Sequence, residues 1–210
     1  MEFQFMYYSN RAIASLIKRG HIWIGWNSRD AVSEADLDWE VCGLDLHLDR
    51  LFHVWDGRET LEVDPSDSCF ELSALPSYSV QSDEGLVLLP GQFVLCQTRE
   101  YLRLASLVQG QIQGRSLLGR LGLGVHVTAP LIQAGFEGHL ALELYNHGPF
   151  PIRLRPYENS ERQGLAIAQV CFHPVIGMSR ASSKRKRFHR QTSPTGEIKA
   201  ELTPHYEWRS

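Results

Sequence analysis

Two periodicities divide the chain. Over residues 10–19 the apolar positions Ala12, Ile13, Leu16 and Ile17 recur at helical spacing, which predicts a short amphipathic helix. Ser9 or Asn10 is placed to cap it and Gly20 to end it. From His21 onward the period is two. HIWIGW alternates as a strand does. Residues 27–40 are polar, acidic and loop-like, and residues 41–55 alternate again, with Leu44, Leu46, Leu48 and Leu51 set against polar partners. Residues 56–83, with Pro65, Pro76 and several serines, predict a long irregular excursion over the surface. Residues 85–104 hold two β-rich runs split by the turn dipeptide Pro90-Gly91. Short β-rich runs continue to Phe172, broken by Gly or Pro about every 8–12 residues. The pattern predicts a mainly β domain over 1–176, a distorted barrel or jelly-roll-like sandwich with one short N-terminal helix. A single turn at 116–121 is the one helical feature expected after residue 20.

Composition changes this picture at the C-terminus. From Ile176 onward the chain turns to Ser, Lys and Arg, and residues 180–190 carry six Lys/Arg and no acid. Residues 177–210 therefore read as a flexible basic tail. The net charge of −3 argues against a nucleic-acid binder, which would more often be basic overall. With 43% hydrophobic residues, 210 residues suffice for one real core. No apolar run approaches the ~18 residues of a membrane helix, and MEFQFMYYSN has no secretory pattern, so the expected location is cytoplasmic. Cys42, Cys69, Cys96 and Cys171 lie far apart, with no CxxC. Zinc deaminases need HxE and PCxxC to hold metal and activate water. Neither motif is present, so that zinc-dependent chemistry is excluded.

Candidate chemistry concentrates in 114–146, GRSLLGRLGLGVHVTAPLIQAGFEGHLALELYN. Arg115 and Arg120 offer planar forks suited to phosphate oxygens, and Ser116 with backbone N–H groups near Gly114 adds neutral donors. Alone, GRSxxxR is as well read as a Gly-initiated turn with solvated arginines. Glu143 is a single carboxylate among Leu140, Leu142 and Leu144. Burial there would raise its pKa and let one group both activate water and return protons. The bland alternative is an exposed or ion-paired glutamate on a strand. His126 reads as structural, and His139 and His147 fit no pattern. Asp45 and Asp49 read as surface strand or turn residues.

The same stretch resembles a known family. GRS-LxxRLGLxVHxTA, then IxxGFxGxLxLELYN, then PxPIxLxP is similar to the dCTP deaminases and, more distantly, the trimeric dUTP diphosphatases that share their fold. GLDLHLDRLF resembles the family's early xDLRLGxxF strand. The match is dense over about 45 residues and looser elsewhere. The resemblance implies the dUTPase-like fold and deamination of dCTP to dUTP and ammonia. It places Glu143 on the general acid/base, Ser116 and Arg120 on the residues that orient water and polarise the base, and Ala129 on the carbonyl that holds the water. It assigns nucleotide contacts to Arg115, Ser116, Leu117, Leu118, Gly119, Arg120, His126, Gln133, Ala141 and Leu142. In the tail, KRFHRQTSPTGEI resembles KYxxQxGPTxSRI, a segment that folds over the triphosphate. This adds Arg187 and Gln191, with Phe188 as an aromatic cap. Mg²⁺ is expected to ride on the triphosphate. The partners implied are dCTP, dTTP as an inhibitor, and two further copies of the chain in a homotrimer.

Three departures qualify the resemblance. Leu117 stands where the family usually has a second serine. Gln133 stands where deaminases and diphosphatases usually carry Asp, and a glutamine cannot act as the base that hydrolyses dUTP. Residues 157–163, YENSERQ, form a longer charged loop than the family's turn. Two other readings therefore stay open: a deaminase-like nucleotide-binding protein without turnover, and a dUTP diphosphatase, for which LIQAGF supplies no carboxylate.

Overall fold

The computed structural model describes residues 6–57, 61–156 and 164–176. The loop 157–163 and the tail from 177, with Arg187, Phe188 and Gln191, lie outside the described residues. The first element is the expected helix, α1 (Asn10–Lys18). Ser9 caps it through its side chain. Gly20, at φ +72°, ends it by donating to Ile17 O, a left-handed position that costs glycine nothing. Ile13 is fully buried, and Leu16 and Ile17 pack against the core.

The remainder is β. The strands are β1 (Ile22–Gly25), β2 (Trp39–Glu40), β3 (Gly43–Trp55), β4 (Ser77–Gln81), β5 (Leu86–Leu88), β6 (Phe93–Leu104), β7 (Val108–Gly114), β8 (Leu123–Gly124), β9 (Leu131–Ile132), β10 (Glu137–Asn146), β11 (Ile152–Leu154) and β12 (Ala166–Pro174). A single-turn helix, α2 (Ser116–Arg120), sits where the lone turn was expected. The main sheet runs β8-β10-β6-β3-β12-β7-β9, with β1 on β6 and β2 and β4 on β3, while β11 pairs with β5 in a small second sheet. Among the described residues no helix is long and apolar enough to cross a membrane.

Two segments depart from expectation. The excursion 56–83 contains β4, which pairs with β3 from Leu51↔Gln81 to Trp55↔Ser77. Only SYSVQ in that stretch has strand character, too short a run to stand out among prolines and serines. The loop 27–40 ends in β2 and carries a 3₁₀ turn at Glu34–Asp36 capped by Ser33. In β3 the inward positions are Leu44, Leu46, Leu48, Phe52 and Val54, and Leu51 is only half-buried. The register against β6 shifts between Leu48 and Phe52. There β3 passes from one half of the sheet, where it pairs with β12, to the other, where it pairs with β6 and β4.

The topology explains the curl. The two ends of the sheet order, β8 and β9, are consecutive in the chain, with only 125–130 between them. Six residues span at most ~20 Å, so the sheet's two edges must approach each other. The linker stitches them: Glu143 N–H donates to Val125 O at 3.2 Å on the β10 side, and Ile112 N–H to Pro130 O at 2.8 Å on the β7 side. The core lies inside this curl, formed by Leu142, Leu144, Leu102, Phe52, Val170 and Phe172 among others, each at most 1% exposed.

Candidate functional site

The seam between the sheet's edges gathers most of the predicted residues. Strand β10 alternates without interruption: Leu140, Leu142 and Leu144 are buried, and His139, Ala141, Glu143 and Tyr145 are half-buried. Glu143 therefore does not sit among the leucines that flank it in sequence. Those point into the core, and Glu143 projects from the other face, because strand side chains alternate. The expectation of a carboxylate buried by leucines is corrected on that ground. What holds Glu143 is the seam linker, since Val127 N–H donates to its Oε2 at 2.7 Å. The carboxylate thus lies beside the backbone of a loop that also carries His126, Thr128 and Ala129. Val127, Thr128 and Ala129 are exposed.

Helix α2 follows β7 at the same seam. Its next strand, β8, pairs with the end of β10 through Gly124↔Tyr145 and Leu123↔Asn146. Ser116, Leu117, Gly119 and Arg120 are exposed, and Leu117 is 69% exposed. Leu118 is 5% exposed and serves the core, so any ligand contact it makes is through its backbone. The same correction applies to Leu142, at 1%. Gln133 is exposed on the β9–β10 turn, where its carbonyl accepts from Phe136 N–H at 3.0 Å. His126 is half-buried, with Nδ1 buried and unpaired.

Arg115 departs most from its expected role. It is the N-cap residue of α2, and its guanidinium pairs with Asp45 of β3 and, at 3.5 Å, with Glu40 of β2. Asp45 was expected at the surface, yet its side chain is 8% exposed. A nearly buried carboxylate needs a partner, and Arg115 is that partner. The arginine ties the β7–α2 corner to β3 and does not stand as a free phosphate ligand. Arg120 remains an exposed cation on α2.

Among the buried polar groups that sequence reasoning missed are Asn146 and His47. Asn146, fully buried, donates from Nδ2 to Leu88 O at 2.9 Å and Phe150 O at 2.8 Å, and accepts from Gly148 N–H at 2.9 Å. Its signal was a polar residue in phase with Leu142 and Leu144. His47, 6% exposed, lies between two carboxylates: Nδ1 is 2.7 Å from Glu100 Oε1 and Nε2 is 3.0 Å from Asp38 Oδ2. Glu100 also accepts from His47 N–H at 2.9 Å. Burial alone pulls the His47 pKa down. The hydrogen bond and charge of Glu100, then those of Asp38, outweigh burial and hold it above its ordinary value. The group lines a cleft with Trp26, Leu37, Asp36 and Asp45. Among the described residues no group of three or more His, Cys, Asp or Glu is arranged to hold a metal ion.

A family model described as dCTP deaminase-like matches residues 7–175. A relative named dCTP deaminase, dUMP-forming, from Bifidobacterium adolescentis is 35% identical over 167 residues, covering 80% of this chain and 78% of the relative. A protein of the same name from Beutenbergia cavernae is 37% identical over 156 residues, 72% of this chain and 77% of the relative. Among solved structures, the 2'-deoxycytidine 5'-triphosphate deaminase from Agrobacterium tumefaciens superposes with a TM-score of 0.57 at 22% identity. That match covers 81% of this chain and 49% of the other, so this chain spans about half its length.

Proposed function

The chain belongs to the dCTP deaminase-like family, and from that premise we propose that it deaminates dCTP to dUTP and ammonia without zinc, with Glu143 as general acid and base. The observation that carries the reading is the Val127–Glu143 hydrogen bond. It holds one carboxylate at the seam, next to the loop carrying Ala129, on the strand whose end pairs with β8, the strand that follows α2.

The chemistry follows from what one carboxylate can do. Ionised, Glu143 takes a proton from water as the water oxygen attacks C4 of the cytosine ring. Protonated, it delivers that proton to N3 and later assists transfer to the leaving amine. The C4–N4 bond breaks, ammonia departs and a C4 carbonyl remains, so water and dCTP balance dUTP and ammonia. The Ala129 carbonyl and the Ser116 hydroxyl orient the water. Arg120 polarises the C4 region and stabilises charge built up on attack. The exposed backbone N–H groups of α2 and the side chains of Ser116 and Arg120 receive the triphosphate, which brings Mg²⁺ with it as part of the substrate. Leu117 offers no hydroxyl, so the triphosphate depends more on Arg120 and on Arg187 and Gln191 of the tail. The working state is a cytoplasmic homotrimer, with dTTP as a competitor for the same site.

The relatives' name favours a second reading, in which the triphosphate is also cleaved and dUMP is released. Hydrolysis of the triphosphate needs a base near the α-phosphate, and the position suited to it is the exposed amide of Gln133. That residue favours dUTP as the product. Incubation of the purified full-length chain with dCTP and Mg²⁺, resolved by anion-exchange chromatography, decides. Formation of dUTP supports the first reading, and formation of dUMP replaces it with the second. Intact dCTP in protein that binds it leaves a nucleotide-binding protein without turnover.

A further inference from the structure

One buried amide on the Glu143 face has its acceptor oxygen unspent. Strands β10 and β6 pair with Ala141 opposite Gln97 and Glu143 opposite Leu95. Residues paired across two strands project from the same face. Gln97, Ala141 and Glu143 therefore share one face, while Cys96, Leu142 and Leu144 belong to the core on the other. Gln97 is only 5% exposed. Its Nε2 donates to Asp49 Oδ2 at 2.7 Å, and its Oε1 is buried with no partner. An unpaired buried acceptor is costly, and natural structures keep few of them.

Asp49 sets the sense of that amide. An ionised carboxylate only accepts, so the amide nitrogen must face Asp49 and the oxygen must face away from it. Neighbouring His139 behaves in parallel. Its Nδ1 lies 3.0 Å from the Thr98 carbonyl, which also only accepts, so Nδ1 carries the proton and Nε2 is left as an acceptor. The face beside Glu143 thus presents acceptors fixed in orientation by groups behind them.

We propose that Gln97, locked by Asp49, is a specificity-determining residue of the Glu143 site, its amide oxygen accepting a hydrogen bond from the exocyclic amine of a cytosine nucleotide laid along β10. The inference rests on the deaminase reading above and adds to it a means of telling substrate from product. Cytosine presents an N–H at that corner and uracil presents an oxygen. An acceptor locked in place attracts the first and repels the second, so deamination itself weakens the grip on the product.

The test is calorimetric titration of the full-length chain with dCTP and with dUTP. A Glu143→Gln background keeps dCTP intact, and wild-type turnover of dCTP is measured alongside. Gln97→Met removes the acceptor at similar volume. Asp49→Asn leaves Gln97 in place but frees its amide to turn over, and it carries the test should Gln97→Met fail to fold. The ratio of dCTP to dUTP affinity is expected to fall about five-fold or more in both variants, the worth of one neutral hydrogen bond. A ratio unchanged in both, or equal weakening of both nucleotides, overturns the inference while wild-type turnover upholds the deaminase reading. A wild-type chain that neither binds nor deaminates dCTP overturns both.

Discussion

The backbone N–H of Val127 donates to Glu143 Oε2 at 2.7 Å, so the loop closing the barrel seam and the proposed acid–base group share one hydrogen bond. This makes Glu143→Gln and Glu143→Ala separable. Glutamine keeps an oxygen that can accept from Val127 but cannot ionise. It should lower deamination by about 10²–10⁴-fold, the usual contribution of general acid–base catalysis. Binding of dCTP should hardly change. Alanine loses the anchor as well, so it should also weaken binding as the 125–130 linker loosens. Turnover by Glu143→Gln at the wild-type rate would sink the mechanism.

Arg115 and Arg120 sit at opposite ends of α2 and should respond differently to the same change. Arg115→Met strands Asp45, whose side chain is 8% exposed, and should cost roughly 3 kcal/mol of stability in urea titration. Arg120→Met removes an exposed cation and should leave stability within about 0.5 kcal/mol. Its effect should fall on triphosphate affinity and turnover. If Arg115→Met is the variant that folds normally and loses only nucleotide affinity, the structural role given to Arg115 is wrong.

These two arginines show where the sequence was readable. Period-two alternation located β1 and β3, because one buried face imposes that pattern whatever the topology, and β6 stood out as a β-rich run after the turn dipeptide Pro90-Gly91. The cap at Ser9 and stop at Gly20 are local chemistry and were equally plain. Alternation also implied that Glu143 faces away from its leucine neighbours, a consequence the sequence reading did not draw. Long-range pairing left no local mark. Arg115 and Asp45 are seventy residues apart in sequence, and only the sheet order brings them together. His47 and Glu100 are fifty-three residues apart, and only the pairing of β3 with β6 brings them together. SYSVQ at β4 is a strand because β3 offers it an edge.

The turn after β10 supplies a stability test independent of catalysis. Gly122 has φ +90°, and a Cβ there would lie 2.3 Å from Gly148 N. His147 N–H donates to Gly122 O at 2.8 Å, so the two backbones are pressed together beside β8. Gly122→Ala should destabilise by more than ~1 kcal/mol through its left-handed backbone alone, and further through the clash. Asn146→Ala removes three hydrogen bonds and leaves two carbonyls and one N–H seeking partners, at about 3 kcal/mol in all. Thermal and urea unfolding of both variants checks the ranking against an exposed control such as Leu117→Ala, which should be near neutral.

The last prediction concerns pH and the His47 group. Both ring nitrogens face carboxylates, Glu100 at 2.7 Å and Asp38 at 3.0 Å. Ionised carboxylates only accept, so both contacts are hydrogen bonds only when the ring carries two protons. Asp36 and Asp45 line the same cleft; Arg115 pairs with Asp45, so the negative charge facing the ring is that of Glu100, Asp38 and Asp36. Folding therefore raises the His47 pKa above its ordinary 6.5, despite burial. A raised folded value means that the stabilisation is fully present below about 6.5, where the unfolded chain is protonated too. It is lost as pH climbs from there through the folded pKa, because the folded protein must then give up a proton that the unfolded chain has already released. Stability by urea titration should fall as pH rises above 6.5. His47→Gln should be less stable at pH 6 and flatter across the range. His47→Arg, the residue type of the xDLRLGxxF pattern, should be flat as well but without the loss at high pH. Asp38 lies two residues before Glu40, which pairs with Arg115 at the cap of α2. The same titration should thus reach the triphosphate turn as a KM for dCTP that rises with pH in the wild type and not in His47→Arg. Parallel stability curves for wild type and His47→Gln would show that the histidine does not titrate in this window.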